Sequence, residues 1–325
     1  MKPLRILLVG AGSVGQVYGH HFQQGGADVR FLVRPKYVDA SASGYTLHHL
    51  HRKRCDTLTF QPTHFGDTAA ATRGGVDAVV LCMSYAGLKG DWFEKLLHEV
   101  EDATIVSLVP GGGARAWLEE RVRADRLVHG MITLLAYPAP LPGEELSPGT
   151  AFWFPPFSPA PFSGARERAQ PIVDLLNRGG QPARWSGPTQ PSSDLATCFL
   201  MPLLASLEVE GWSFDKLAKS PLLSLACEGG RDAMRVVCAD RGGPPTLPVW
   251  ALQPRVVRGV MKAARLLAPV DIEAFFQLHF TKVGAQTRLI LDEWATQATQ
   301  NGMNCQKLLA LQEALSTHDQ RHATP

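Results

Sequence analysis

The sequence predicts an α/β fold, an amino-terminal doubly wound parallel sheet of the Rossmann type followed by an all-helical carboxy-terminal domain. Three observations carry that expectation. A glycine-rich turn, Gly10-Ala11-Gly12-Ser13-Val14-Gly15, directly follows the first apolar run. Over the first 130 residues short apolar runs alternate with helical patterns, the rhythm of a parallel sheet with crossover helices. After Ser192 strand signals nearly vanish and long helical patterns dominate.

Taken in order, residues 5–9 read as a buried strand and 13–24 as the helix behind it. A second strand is expected at 28–33, after the Gly25-Gly26 turn. Residues 45–50 and 57–61 read as an inserted hairpin. Then come a strand at 76–83 (VDAVVLCM), a helix at 88–100, a strand at 104–108, a helix at 114–122 and a further strand within 126–135. The stretch 137–164 is dense in proline. Because proline cannot donate to a sheet ladder, it is expected to form a surface edge excursion with turns, not a central strand or helix. Helical periodicity returns at 165–178, Gly179-Gly180 ends it, and a strand is expected at 182–186. Proline and glycine in GPTQP (187–191) mark a linker, giving a nucleotide-binding domain at 1–188 and a helical domain at 189–325. The polar tail, 317–325, is expected to be disordered.

Composition narrows the function. A length of 325 residues suits two domains, and 45% hydrophobic against 19% charged residues excludes general disorder. The net charge of +2 lacks the basic excess of a nucleic-acid binder. The longest uncharged apolar stretch, 195–207, is closed by Glu208 well short of the roughly 20 residues a membrane span needs. A signal-like start, Lys2 and Arg5 before an apolar run, is broken by Gly10, Gly12 and Gly15. The six cysteines lie far apart with no CxxC pair and no Cys/His cluster. That spacing reads as reduced thiols of a cytoplasmic protein and predicts no metal site.

The chemical signal is the glycine turn. In such a strand–turn–helix, Gly10 permits the tight turn, Gly12 lets the backbone approach a pyrophosphate, and Gly15 lets helix pack on strand. Ser13 and Val14, in the first helical turn, offer N–H groups to the phosphates. An NAD site has an acid about 20 residues beyond the glycines. Here the second strand runs into Arg34-Pro35-Lys36, while the nearest acids, Asp28 and Asp39, stand at its beginning and well past its end. A guanidinium fork at Arg34 with a second cation at Lys36 fits a 2′-phosphate, so NADP(H) is the expected cofactor.

GAGSVG, a strand ending in VR, the strand–loops VDAVVLCMSYAGL and TIVSLVPGGG, and a helical second half with CFLMPL together resemble the ketopantoate reductase family. The resemblance covers most of the chain. It implies a Rossmann domain joined to a helical domain, NADPH and a 2-keto acid held in the cleft between them, and a monomer or homodimer. It also implies that Met83 and Ser84, after the third strand, and Pro110 and Gly111, after the next, flank the cofactor. Against the family pattern, Ser84 stands for a Lys, Pro110-Gly111 for Asn-Gly, Ser193 for the general-acid Lys, Thr197 and Met201 for two substrate-holding Asn, and Gln286 for a Glu. These substitutions make ketopantoate itself an unexpected substrate.

A ketone reduction still needs a proton donor and groups for a carboxylate. His279, Lys282 and Gln286 are spaced i, i+3, i+7 along an expected late helix, one face of which supplies candidates. Phe275, Phe276, Leu278, Val283, Leu289 and Ile290 can form its core stripe. Ser193 and Thr197 are further cleft candidates. The cluster His48, His49 and His51 beside Arg52, Lys53 and Arg54 reads as surface charge at a hairpin tip, with no supporting carboxylate. The leading expectation is an NADPH-dependent reductase of a small carbonyl substrate. A non-catalytic NADP(H)-binding sensor or scaffold, and a true ketopantoate reductase, stay open beside it.

Overall fold

The structure is a computed structural model and describes residues 2–109, 112–188, 193–241, 249–282 and 284–322. It divides into two compact units, Met1–Pro191 and Ser192–Pro325. The boundary expected at 188/189 falls against residues 189–192, which lie outside the described residues.

The first unit contains strands β1 (Arg5–Val9), β2 (Asp28–Leu32), β3 (Tyr45–His51), β4 (Arg54–Phe60), β5 (Thr63–Phe65), β6 (Ala78–Leu81), β7 (Thr104–Ser107), β8 (Leu127–Gly130), β9 (Leu135–Ala139), β10 (Gly149–Trp153), β11 (Ala160–Ser163) and β12 (Ala183–Trp185). Its helices are α1 (Ser13–Gln24), α2 (Val38–Ser41), α3 (Thr68–Thr72), α4 (Tyr85–Leu88), α5 (Asp91–Glu99), α6 (Gly112–Glu119) and α7 (Arg166–Arg178).

Eight strands form one sheet in the order β12-β11-β8-β7-β6-β1-β2-β5, parallel except where β11 meets β8. Strands such as RILLV and AVVL are apolar on both faces because both faces are covered. One core lies under α1 and α7, around Tyr18, Phe22, Phe31, Ile172 and Leu176. The other lies under α3, α5 and α6, around Val79, Phe93, Leu96 and Leu118. From β1 the chain moves to β2 on one side and later to β6 on the other. That reversal leaves a crevice at the carboxyl end of β1, where open α/β sheets bind ligands.

Several expectations are corrected. The helix expected at 88–100 is α5, which starts only at Asp91 because Lys89 is extended (φ −72°, ψ 107°) and Gly90 is the N-cap, and a separate short helix, α4, precedes it. The hairpin β3–β4 is not a free excursion. It joins β10 and β9 in a second sheet ordered β4-β3-β10-β9, which makes β3 an interior strand. His48 and His49 therefore are not surface charge. His48 is buried, its ring bonded to Ser147 O (2.9 Å), and His49 stacks on Phe152 at 4.5 Å. His51 does have a carboxylate, Asp56, at 3.0 Å.

The proline-dense stretch also does more than skirt an edge, since β10 and β11 are interior strands with Phe152 and Phe162 fully buried. Its prolines fall where the ladder tolerates them. Pro138 lies on the edge strand β9, and Pro161 still accepts from the Met131 N–H (3.0 Å) beside a two-residue pairing with β8.

Histidine burial has a measurable consequence. His21, bonded to Gly179 O at 2.7 Å, is brought down to about 4, first by burial. His49 is brought down to about 4 by burial and then by neighbouring His51. Both are neutral in the fold but titrate near 6.5 once unfolded, so between those values the unfolded chain binds more protons. Stability held above pH 6.5 is therefore lost as pH falls toward 4. Urea midpoints are expected to drop steadily from pH 7 to 4.5, and less steeply in His49→Phe. A midpoint indifferent to pH over that range contradicts the assignment.

The second unit is helical among its described residues: α8 (Ser193–Val209), α9 (Phe214–Lys219), α10 (Leu222–Arg241), α11 (Pro254–Leu267), α12 (Ile272–Lys282), α13 (Gly284–Gln300) and α14 (Gln306–His322). Cys198, Ala205, Met234, Leu291, Trp294 and Leu308 form its core. Leu289, expected in a core stripe, is 56% exposed, while Leu291 and Trp294 take the buried positions. The tail expected to be disordered is helical to His322, because α14 packs on α8 and α10. Residues 323–325 lie outside the described residues.

Candidate functional site

At the end of β1, Gly10 turns with φ +98°, and its N–H donates to Leu32 O at 3.1 Å, pinning the turn to β2. A Cβ on Gly10 would lie 2.6 Å from Cys82 O. One on Gly15 would collide with Gly10 O itself, so helix and strand meet here with no room for a side chain. Gly12 is the opposite case. A Cβ there would meet nothing within 4 Å, so the backbone faces open space where a ligand can approach.

Gly12 is the N-cap of α1, and the Gln16 N–H makes the first helical bond to its carbonyl, at 2.9 Å. The N–H groups of Ser13, Val14 and Gly15 thus stand at a helix amino terminus whose first turn carries no acid. Its partial positive charge is unopposed, and this donor set fits a pyrophosphate.

β2 ends beside this turn and Arg34 follows, extended at φ −61°, ψ 142°, its carbonyl accepting from Tyr37 N–H at 2.8 Å. Its side chain is exposed and forms no ion pair with any described residue. Lys36 is exposed too, its Nζ 5.0 Å from the Tyr37 ring centroid. Of the two nearest acids, Asp28 pairs with Arg30 at the far end of β2 (3.1 Å), and Asp39 is exposed on α2. Along the chain, β2 is therefore followed by cations and by no carboxylate before Asp39, while Asp67, after the neighbouring strand β5, caps α3 through the Ala70 N–H (3.0 Å) and pairs with Lys95 (3.6 Å).

Met83 and Ser84 follow β6. The Cβ of Met83 lies 3.5 Å from where a Gly10 Cβ would stand, which puts it against the turn, and Ser84 is exposed at the start of α4. Between them, β1, β2 and β6 gather the glycines, Ser13, Val14, Arg34, Met83 and Ser84 at one edge of the sheet. Pro110 and Gly111 follow β7 and lie outside the described residues.

Sequence reasoning missed three residues. Cys82 supplies the carbonyl under Gly10, and burial pushes its thiol up, so it stays neutral. Gln16 donates from Nε2 to Ala11 O (2.9 Å) and accepts at Oε1 from the Thr150 hydroxyl (2.7 Å). The Gln directly after the fingerprint was a visible signal; its partner, 134 residues away, was not.

In the helical unit, Ser193 opens α8, but its side chain lies outside the described residues, and Thr197 is half-buried one turn on. Met201 is half-buried against the core. His279 is exposed on α12, its ring stacked on Phe275 at 5.6 Å. Lys282 ends α12 with its side chain outside the described residues, and Gln286 is half-buried on α13. His279 and Lys282 share a helix at i, i+3. The shared face expected to reach Gln286 runs through Val283, which lies outside the described residues.

One trio of metal-ligating types converges among the described residues, Glu208, His318 and Asp319. The Arg288 guanidinium already bridges both carboxylates, at 2.9 and 2.6 Å, tying α13 to α8 and α14. None of the helices, over the described residues, is long and apolar enough to cross a membrane.

The family model for ketopantoate reductase PanE/ApbA matches residues 6–140. A search of curated protein sequences gives no significant match. Among solved structures, D-mandelate dehydrogenase with NADH and anilino(oxo)acetate is similar at 15% identity and TM-score 0.70, covering 98% of this chain and 99% of that one. The 2-dehydropantoate 2-reductase from Methylococcus capsulatus is similar at 16% identity and TM-score 0.69, covering 99% of both chains. That from Geobacter metallireducens GS-15 follows at 15% and 0.68, covering 97% and 99%. Residues 6–140, with the glycine turn and the strand order around it, are thus similar to ketopantoate reductase, and the chain as a whole carries the fold of the solved structures to which it is similar.

Proposed function

We propose that this protein is an NADPH-dependent reductase of a 2-keto acid or related small ketone, and that ketopantoate is not its substrate. The observation that carries the reading is the nucleotide site: open backbone at Gly12, an unopposed helix terminus, and an exposed Arg34, without an ion pair among the described residues, where an NAD site would hold a carboxylate. The match of residues 6–140 to the ketopantoate reductase model supports the reaction class. Substituted polar positions at Ser193, Thr197, Met201 and Gln286 support a changed substrate, since Met201 offers no strong hydrogen bond to a substrate hydroxyl or carboxylate.

When bound, the cofactor supplies the hydride. The protein does the rest. The first turn of α1 holds the pyrophosphate, and Arg34, with Lys36 adding charge, holds the 2′-phosphate. Met83, Ser84, Pro110 and Gly111 flank the nicotinamide half. Lys282 and His279 are the groups from which the developing alkoxide takes its proton, while Gln286, Ser193 and Thr197 offer hydrogen bonds to the substrate. The partner is a small carbonyl compound, with neither nucleic acid nor membrane involved.

Following NADPH oxidation over a panel of 2-keto acids and ketones tests this, with ketopantoate included. Turnover of at least one member, with ketopantoate among the poorest, is expected. Tight cofactor binding with no turnover on any member refutes the enzyme, and efficient ketopantoate reduction refutes the altered specificity. Lys282→Met is expected to lower kcat about 100-fold while leaving NADPH affinity unchanged, and His279→Leu tests the alternative donor in the same way.

A further inference from the structure

We propose that Gln16, held by Thr150, is a positioning residue that aims the Gly12 N–H at the cofactor's pyrophosphate. The inference rests on the nucleotide reading above and adds to it a part for the second sheet. Ala11 and Gly12 share a trans peptide, in which the carbonyl and the N–H point in opposite directions. The Ala11 carbonyl is drawn onto Gln16 Nε2 at 2.9 Å, so the Gly12 N–H of the same peptide plane is turned the other way. Gly12 is exposed and the space around it is open, as a phosphate oxygen requires.

Gln16 cannot turn freely to release that carbonyl. Its Oε1 accepts from the Thr150 hydroxyl at 2.7 Å, so both ends of the amide are engaged and a flip would set Nε2 against the hydroxyl and Oε1 against a carbonyl oxygen. Thr150 is 3% exposed in β10, where it lies in register with Leu47 of β3 on one side and Pro138 of β9 on the other. A strand flanked on both sides cannot shift to follow a moving side chain. The second sheet thereby anchors the phosphate-binding turn through one glutamine, although no residue of that sheet lies in the glycine motif.

Calorimetric titration with NADPH, and with adenosine 2′-monophosphate as a probe that lacks the pyrophosphate, tests the relay. Gln16→Leu is expected to weaken NADPH about tenfold, or 1.4 kcal/mol, and to leave adenosine 2′-monophosphate unchanged. Thr150→Val, nearly constant in volume, should follow in the same direction and carries the test if Gln16→Leu fails to fold. Thr150→Ser, which keeps the hydroxyl, should restore wild-type affinity. Equal weakening of both ligands indicates general damage and overturns the relay, as does unchanged NADPH affinity in both variants. A wild-type protein that binds neither ligand overturns the nucleotide reading itself, an outcome distinct from the other two.

Discussion

Arg34→Asp is expected to weaken NADPH binding about 100-fold while changing NADH affinity by less than about threefold. The substitution removes a guanidinium that can bind a 2′-phosphate bidentately and places a carboxylate next to that dianion. Charge-assisted hydrogen bonds contribute roughly 1.5–3 kcal/mol. Arg34 is exposed, so solvent and salt take part of that, but repulsion from the new carboxylate acts in the same direction. The ribose 2′-OH of NADH, by contrast, finds in the new Asp the acceptor that β2 lacks. Titrations with both coenzymes at one ionic strength check the result. Equal loss on both would mean that Arg34 serves the fold and not the phosphate, and unchanged NADPH affinity would remove the case for NADP(H) over NAD(H). Lys36→Ala should show the same sign with a smaller effect, because its Nζ is already placed over the Tyr37 ring.

Gly15→Ala is expected to damage the fold of the first unit and its glycine turn together. Its Cβ would collide with the Gly10 carbonyl and lie 3.3 Å from the Cys82 Cβ, and a backbone carbonyl cannot swing aside as a side chain can. Either α1 lifts from β1 or the turn opens, and both outcomes disturb the same N–H groups. Overpacking at such a contact costs about 3 kcal/mol. That corresponds to a fall in Tm of roughly 10 °C for a unit of this size, with nicotinamide dinucleotide binding lost in parallel. Gly12→Ala is the contrasting control. Its Cβ meets nothing in the protein, so stability should hold while binding of a pyrophosphate suffers. A Gly12→Ala variant as unstable as Gly15→Ala would contradict the separate roles given to the two glycines.

The strands of the first unit were legible because a parallel sheet covered on both faces demands apolar runs, and RILLV, AVVL and TIVS all stand out from their surroundings. The glycine site was legible for a related reason. Its function resides in backbone geometry that only glycine permits, so the motif is local and contiguous. Where local pattern and tertiary context diverged, the sequence misled. Three histidines among cations looked like a charged tip, yet β3 is flanked by β4 and β10 and two of the three are drawn inward. Proline density looked like surface, yet Pro138 and Pro161 fall at an edge and beside a two-residue pairing, which spares the ladder. The polar residues of 317–322 looked like a loose end, yet the apolar stripe Leu308, Leu311 and Leu315 secures the helix they extend.

By itself, the sequence determined the dinucleotide turn, the absence of an acid after β2, the parallel core and the change to helices after Ser192. All are properties of neighbouring residues, and short-range patterning specifies them. Only the tertiary structure decided that a second sheet exists, that it buries His48 and Thr150, and that Thr150 meets Gln16. Those pairings join residues more than 90 positions apart, and side chains that meet only after the chain has folded leave no periodicity to read.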